Sequence, residues 1–280
     1  MSELRRRMIH DMQLRGFSEK TQESYVGAVK GLAKFYMRSP DQLSEEEIRG
    51  FFLHLINERR AARSTVTIYL CGIKFFYERT LGKEWGVFDL VRPRKREKLP
   101  VVLALEEVRH LLSLVANPVA RMALRMIYSC GLRLSEGIHL RVEDIDSKRM
   151  VVRVSDGKGG KDRDVPLPEK TLEHLRAYWV LSRPRPWLFP AKSGARPLSD
   201  TSLQKTFKAV VRQSGIEKNV SIHSLRHSYA TSLLENGMDI RVIQEVLGHR
   251  SPQTTAIYTH LTKKTVDKLH ATVNHLMSEL

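Results

Sequence analysis

Six side chains in the second half of the sequence could together perform phosphoryl transfer without a metal. They are Arg133 in GLRLSEGIHL, Lys158 in DGKGGKDR, His223 and Arg226 in HSLRH, and His249 and Tyr258 in LGHRSPQTTAIYTH. The two arginines would neutralise the nonbridging oxygens of a phosphate, where charge builds in the transition state. Tyr258 would attack phosphorus and store the energy of the broken bond as a phosphotyrosyl ester. A free phenol ionises near pH ~10, so it needs neighbouring cations or a base. Lys158 would protonate the departing 5′ oxygen, which as an alkoxide is a poor leaving group. No Asp/Glu cluster suited to two magnesium ions is visible, and no metal or other cofactor is expected.

Each cluster has a plainer reading when taken alone. Arg133 follows a glycine at a helix-to-helix junction, with Ser135 available as the next cap, and it could simply pair with Glu136. The lysines of the Lys158–Lys161 tip could be a solvated basic turn, and its spacing is not that of a nucleotide-hydrolase phosphate loop. His223 and His227 are four apart, as zinc ligands on a helix can be, but Ser224 stands where the metalloprotease pattern needs Glu, and no third ligand is evident. His227 then reads as a packing or supporting residue. Tyr258 could be half-buried core, and residues 239–261 could form a helix-turn-helix, which gives a rival reading as a DNA-binding regulator. A regulator has no use for all six catalytic residue types in order.

The elements that must position these residues change character along the chain. The first 90 residues read as four helices, with apolar positions at helical spacing. Ser18 and Ser44 are expected caps, the latter followed by Glu45, Glu46 and Glu47, and Ser64 is expected to open the fourth helix, with Ile68, Cys71, Ile73, Phe75 and Phe76 in the core. Residues 91–100, VRPRKREKLP, hold two prolines and five basic residues, and read as an extended linker able to lie along phosphates. From 101 to 280 a second domain is expected. Helices at 105–115 and 119–130 precede a β-hairpin built from Met150–Val154 and Asp164–Leu167, with a basic, glycine-rich tip. Helical spacing returns at 169–182, 200–214, 223–236, 239–247 and 251–261 and in a C-terminal stretch. The fold class is mainly α with one small antiparallel sheet.

Composition narrows the partner. The chain has 280 residues, 47 Lys and Arg against 31 Asp and Glu, and a net charge of +16, which points to a polyanion. The excess is shared, +7 before residue 99 and +9 from there on, as expected of two domains that clamp the same polymer. Arg94, Lys95 and Arg96 in the linker, with Lys161 and Arg163 on the hairpin, are the expected DNA contacts. Cys71 and Cys130 are too few for a disulfide framework and fit a reducing cytoplasm. Neither a secretory signal nor a membrane span is read: Arg5-Arg6-Arg7 has no apolar stretch behind it, and the longest apolar run, 99–105, contains a proline.

Arg133, Lys158, His223-x-x-Arg226, His249 and Tyr258, in this order, resemble the tyrosine recombinase (phage integrase) family. So do the stretches GLRLSE, GKGGKDR with VPL after it, HSLRHSYATSLLENG, IQEVLGH and TTAIYTH, particularly its Xer-type and integron-integrase branches. The resemblance spans nearly the whole chain. It implies a helical core-binding domain at 1–90 and an α+β catalytic domain at 101–280. It implies strand cutting at a 3′-phosphotyrosine by Tyr258, Holliday-junction exchange and religation without metal or ATP. A homotetramer would act on two double-stranded DNA sites in the cytoplasm, at the nucleoid, with room for a second recombinase or an accessory DNA-bending protein. By the same resemblance His223 and His249 assist proton transfer and transition-state binding, Glu136 supports the site, and the catalytic lysine is Lys158. Gly137 stands where the family usually has Leu, and the insertion typical of integron integrases is not visible before HSLRH, which leans the reading towards a Xer-like or mobile-element recombinase. A type IB topoisomerase would share the chemistry without pairing two sites. The apolar positions Val266, Leu269, Val273 and Leu276 leave open whether residues 262–280 dock on a neighbouring subunit or on their own domain.

Overall fold

The computed structural model describes residues 2–91, 100–155 and 162–248. The linker cations, Lys158, Lys161, His249, Tyr258 and the expected helices beyond residue 250 lie outside the described residues. The chain divides into two compact units, Met1–Glu97 and Lys98–Leu280.

The first unit is helical. α1 (Glu3–Leu14) starts on Ser2 and buries Met8 and Met12, and α2 (Glu19–Tyr36) starts on Ser18. α3 (Glu45–Leu53) begins with a full capping box, in which Ser44 Oγ accepts from the Glu47 amide and the Glu47 carboxylate accepts from the Ser44 amide at 2.8 Å. α4 (Arg63–Phe75) packs against α2, and Gly72 is what lets them meet, because a Cβ there would lie 3.0 Å from the Tyr25 Cα. α3 and α4 each run on into a π turn, at His54–Glu58 and Phe76–Leu81. The short α5 (Val87–Leu90) closes the unit by setting Phe88 against Tyr77. Ile48, Phe52, Leu55, Ile73, Phe76 and Tyr77 form the centre of its core.

Three expectations need correction in this unit, the first being the number of α-helices, five rather than four among the described residues. Ser64 is not the cap of α4: Ala62 already holds the extended backbone, so Ser64 falls inside the first turn. Ile68 is on the outer face of α4 and is 43% exposed.

The second unit is built round α7 (Pro118–Ser129), which buries Ala120, Met122, Ala123, Leu124, Met126 and Ile127, as a helix surrounded by others must. α6 (Leu105–Leu114), the short α8 (Leu134–Ile138), α9 (Glu169–Ser182) and α11 (Ile222–Glu235) pack against it, and α10 (Asp200–Gln213) packs on α6 and α8. The sheet is antiparallel in the order β1 (Ile145–Asp146), β2 (Val151–Val154), β3 (Arg163–Pro166). Its register pairs Val152 with Val165 and Val154 with Arg163. Val152, Val154 and Val165 are buried, whereas Arg153 and Asp164 face outward. Strand alternation therefore places Arg163 on the same inward face as Val165. α12 (Ile240–Leu247) caps its start with Asp239, ends on Gly248 at φ +63°, and packs against β3 and α11.

Candidate active site

The site begins where α7 stops. Gly131 turns the chain at φ +59°, and a Cβ there would lie 2.4 Å from the Tyr229 ring, so only glycine fits. That turn presents the Gly131 carbonyl to Arg226, whose Nη1 donates to it at 2.6 Å. Two residues on, Arg133 occupies the position before α8, where the free amides of a helix start need acceptors. Glu136 supplies one, accepting from the Arg133 amide at 2.8 Å. Ser135, the expected cap, lies inside the helix instead. Gly137 leaves room for α8 against α7, since a Cβ would meet the Ile127 side chain at 2.6 Å.

Glu136 is the hub. Its side chain is 6% exposed and takes charge-assisted hydrogen bonds from two guanidinium groups, Arg133 Nη1 at 2.6 Å and Arg163 Nη1 and Nη2 at 3.0 and 2.8 Å. Arg226 Nη1 stands 3.9 Å away. Burial alone pushes the carboxyl pKa up, but the bonds from Arg163 and from the Arg133 amide and guanidinium reverse this and hold it at about 2. Glu136 is therefore anionic at neutral pH.

The three arginines share a second set of partners. Arg163 Nε donates to the Val246 carbonyl at 2.9 Å, Arg226 Nη2 to Leu247 at 2.5 Å, and Arg133 Nη2 to Gly248 at 2.8 Å. These are consecutive carbonyls at the C-terminal end of α12, where the helix leaves acceptors unpaired and its dipole favours cations. Three guanidinium charges against one carboxylate leave two positive charges here, a setting for an anion.

His223 and Arg226 project from the first two turns of α11. Burial lowers the His223 pKa, and the Arg226 and Arg133 charges lower it further, so the imidazole is neutral at pH 7 and can take a proton. His227 sits edge-on to His223 with ring centroids 4.5 Å apart, and burial, then His223 and Arg226, bring its pKa to about 4. Among the described residues no three His, Cys, Asp or Glu side chains converge as metal ligands, and no helix is long and apolar enough to cross a membrane.

Of the residues singled out in the sequence, the structure brings Arg133 and Glu136 into a hydrogen-bonded pair with Arg226 ion-paired to the same carboxylate at 3.9 Å, and the charges of Arg226 and Arg133 act on His223. The group ends at Gly248, the residue before His249. Lys158, Lys161, His249, Tyr258, Arg94, Lys95 and Arg96 lie outside the described residues. Arg163 departs from its expected place as a DNA contact: its side chain is 12% exposed and its three guanidinium nitrogens are engaged by Glu136 and Val246. The alternation of β3, with Val165 two residues on, carried the signal.

The profile of the phage integrase family matches residues 102–265, and that of the phage integrase N-terminal SAM-like domain matches residues 4–87. An integrase/recombinase of Sinorhizobium fredii is 42% identical over 262 residues, covering 93% of this chain and 85% of that protein. The tyrosine recombinase XerD of Staphylococcus aureus is 32% identical over 279 residues, covering 91% and 92%. A lambda integrase tetramer bound to a Holliday junction, 18% identical, superposes with a TM-score of 0.74 over 90% of this chain and 75% of that one, a likeness of fold. The chain belongs to the phage integrase family: it is a tyrosine-type site-specific recombinase, an enzyme that cuts and rejoins DNA strands.

Proposed function

We propose that Tyr258 is the nucleophile, attacking a DNA phosphodiester to leave the strand on the enzyme as a 3′-phosphotyrosyl ester and a free 5′-hydroxyl. The observation that carries this reading is the Arg133–Glu136–Arg226 group, anchored at Gly248, ten residues before Tyr258 in the chain. Arg133 and Arg226 hold the nonbridging oxygens, and Glu136 fixes the guanidinium planes. Neutral His223 takes the phenolic proton, His249 assists at the phosphate, and Lys158 protonates the 5′ oxygen as it leaves. Religation runs the same steps backwards, so no ATP is consumed, and these side chains fill the roles a metal would otherwise take.

The partner is double-stranded DNA, supported by the net charge of +16. Lys161 and the linker residues Arg94, Lys95 and Arg96 are the backbone contacts, residues 1–90 form a core-binding domain, and residues 101–280 form a catalytic domain. The lambda integrase tetramer on a Holliday junction, whose fold this chain shares, supports a homotetramer on two sites. We place the protein in the cytoplasm at the nucleoid, with a second recombinase or a DNA-bending protein as further partners.

Covalent capture tests this directly. The protein is incubated with nicked, fragmented host DNA and denatured, and the DNA linked to it is sequenced. Fragments linked to the wild type and absent from Tyr258→Phe are expected, with binding intact in both. Binding is expected to fall steeply with salt as counterions return to the phosphates. No linkage despite binding would overturn the assignment.

A further inference from the structure

We propose that Arg163 is a positioning residue of the recombination reaction, holding Glu136 and the end of α12 in the one arrangement from which Arg133 and Arg226 can act. This rests on the reading of Tyr258 and the two arginines given above. Arg163 ties together three stretches far apart in sequence: it lies 27 residues beyond Glu136 and 83 before Val246. Its two terminal nitrogens face the two carboxylate oxygens of Glu136 in the fork geometry that only arginine offers, and its Nε reaches the Val246 carbonyl. Gly248 preserves that fit, because a Cβ there would come within 3.1 Å of Arg163 Nη1.

The consequence runs through Glu136. The carboxylate that Arg163 grips also binds the Arg133 guanidinium at 2.6 Å and the Arg133 amide at 2.8 Å, and it stands 3.9 Å from Arg226. Val246 is followed by Leu247 and Gly248, whose carbonyls accept from Arg226 and Arg133. Arg163 thus holds both supports of the two phosphate-binding arginines, the side-chain one and the main-chain one. Lysine would keep the charge but has a single nitrogen, so it cannot span both carboxylate oxygens and Val246 together.

The test uses the full-length chain and a nicked duplex of the sequence recovered by covalent capture. Three quantities are measured for the wild type, Arg163→Lys, Glu136→Gln and the double variant: the urea midpoint, the salt slope of binding and the rate of adduct formation under conditions where each is folded. Arg163→Lys is expected to slow adduct formation about 10²-fold, the scale of a small misplacement of catalytic groups. Its salt slope is expected to match the wild type, and the double variant to be no slower than the slower single one.

Adduct formation at the wild-type rate would reduce Arg163 to a purely structural residue and overturn the proposal. A salt slope shallower by about 1 would overturn it in favour of a phosphate contact. Additive rate losses would show that Arg163 does not act through Glu136. Should Arg163→Lys not fold, Arg163→Gln, which offers one carboxylate oxygen a neutral donor, is judged by the same readouts. An adduct missing from the wild type itself would overturn the Tyr258 reading and this proposal with it.

Discussion

Ser44 and Arg133 head two short helices that start in the same way. In each, the glutamate three residues on turns back and accepts from the backbone amide of the heading residue at 2.8 Å. At α3 the glutamate is Glu47, at the surface of the first unit, with Arg38 as its partner. Bonding to the Ser44 amide keeps its carboxyl pKa below the ordinary value. At α8 the glutamate is Glu136, buried, with Arg133 and Arg163 bound to it and Arg226 nearby. One local device thus serves as a helix start in one unit and as the centre of the candidate active site in the other. What separates them is exclusion of water: a surface ion pair is screened and contributes little, whereas a buried carboxylate and its arginines depend on one another.

Removing charge from the buried member is the sharpest way to break the parallel. Glu136→Gln is expected to lower the unfolding free energy by about 3–5 kcal/mol, because it leaves guanidinium charges together without their counter-charge; urea titration checks this. The acid limb should change as well. Glu136 has a folded pKa of about 2 against an ordinary value of 4.5, so its contribution is complete above pH 4.5 and disappears as pH falls through about 2. The wild type should lose stability over that window more steeply than Glu136→Gln, and parallel curves would show that Glu136 is not held down.

Glycine gives the next contrast. Gly131 and Gly82 both hold positive φ, +59° and +73°, but a Cβ at Gly82 meets nothing within 4 Å, whereas one at Gly131 runs into Tyr229. Gly82→Ala should cost about 1–2 kcal/mol for the left-handed backbone. Gly131→Ala adds about 1–3 kcal/mol of overpacking and displaces the carbonyl that Arg226 uses, so adduct formation should fall only in the second variant. Equal losses in thermal unfolding would remove Tyr229 from the account.

The smallest effect belongs to the surface pair. Glu47→Gln should shift the urea midpoint far less than Glu136→Gln and leave adduct formation untouched. Arg38→Ala should matter less still, its effect vanishing as salt is raised. A large, salt-insensitive loss at Arg38 would make the two helix starts equivalent after all.

The sequence reveals most of the local structure. Ser44 with its three acids marks α3, Asp239 falls just before α12, and the valines on either side of the glycine-rich stretch mark β2 and β3. These signals are local, so spacing carries them. The π turns at His54–Glu58 and Phe76–Leu81 are harder to see, because one extra residue per turn leaves the apolar pattern almost unchanged. The order of Arg133, His223 and Arg226 was legible, and so was Glu136 as the partner of Arg133. Arg163 was read as a DNA contact because its position in a basic, glycine-rich motif outweighed the two-residue alternation that turns it inward. The acceptors at 246–248 left no trace at all, since a carbonyl has no letter of its own.

That last point bears on how this site responds to mutation. Three of the groups that hold Arg133, Arg163 and Arg226 are main-chain carbonyls, those of residues 246, 247 and 248. A residue-by-residue scan of that stretch therefore reads side-chain packing and helix termination, the close approach of Gly248 to Arg163 included, and leaves the carbonyl acceptors themselves in place. Insertion or deletion of a single residue near the end of α12 does what no replacement can. It rotates each acceptor away from its guanidinium by about 100°, the turn per residue of an α-helix. Reading frame along the helix is what sets these three acceptors against their arginines.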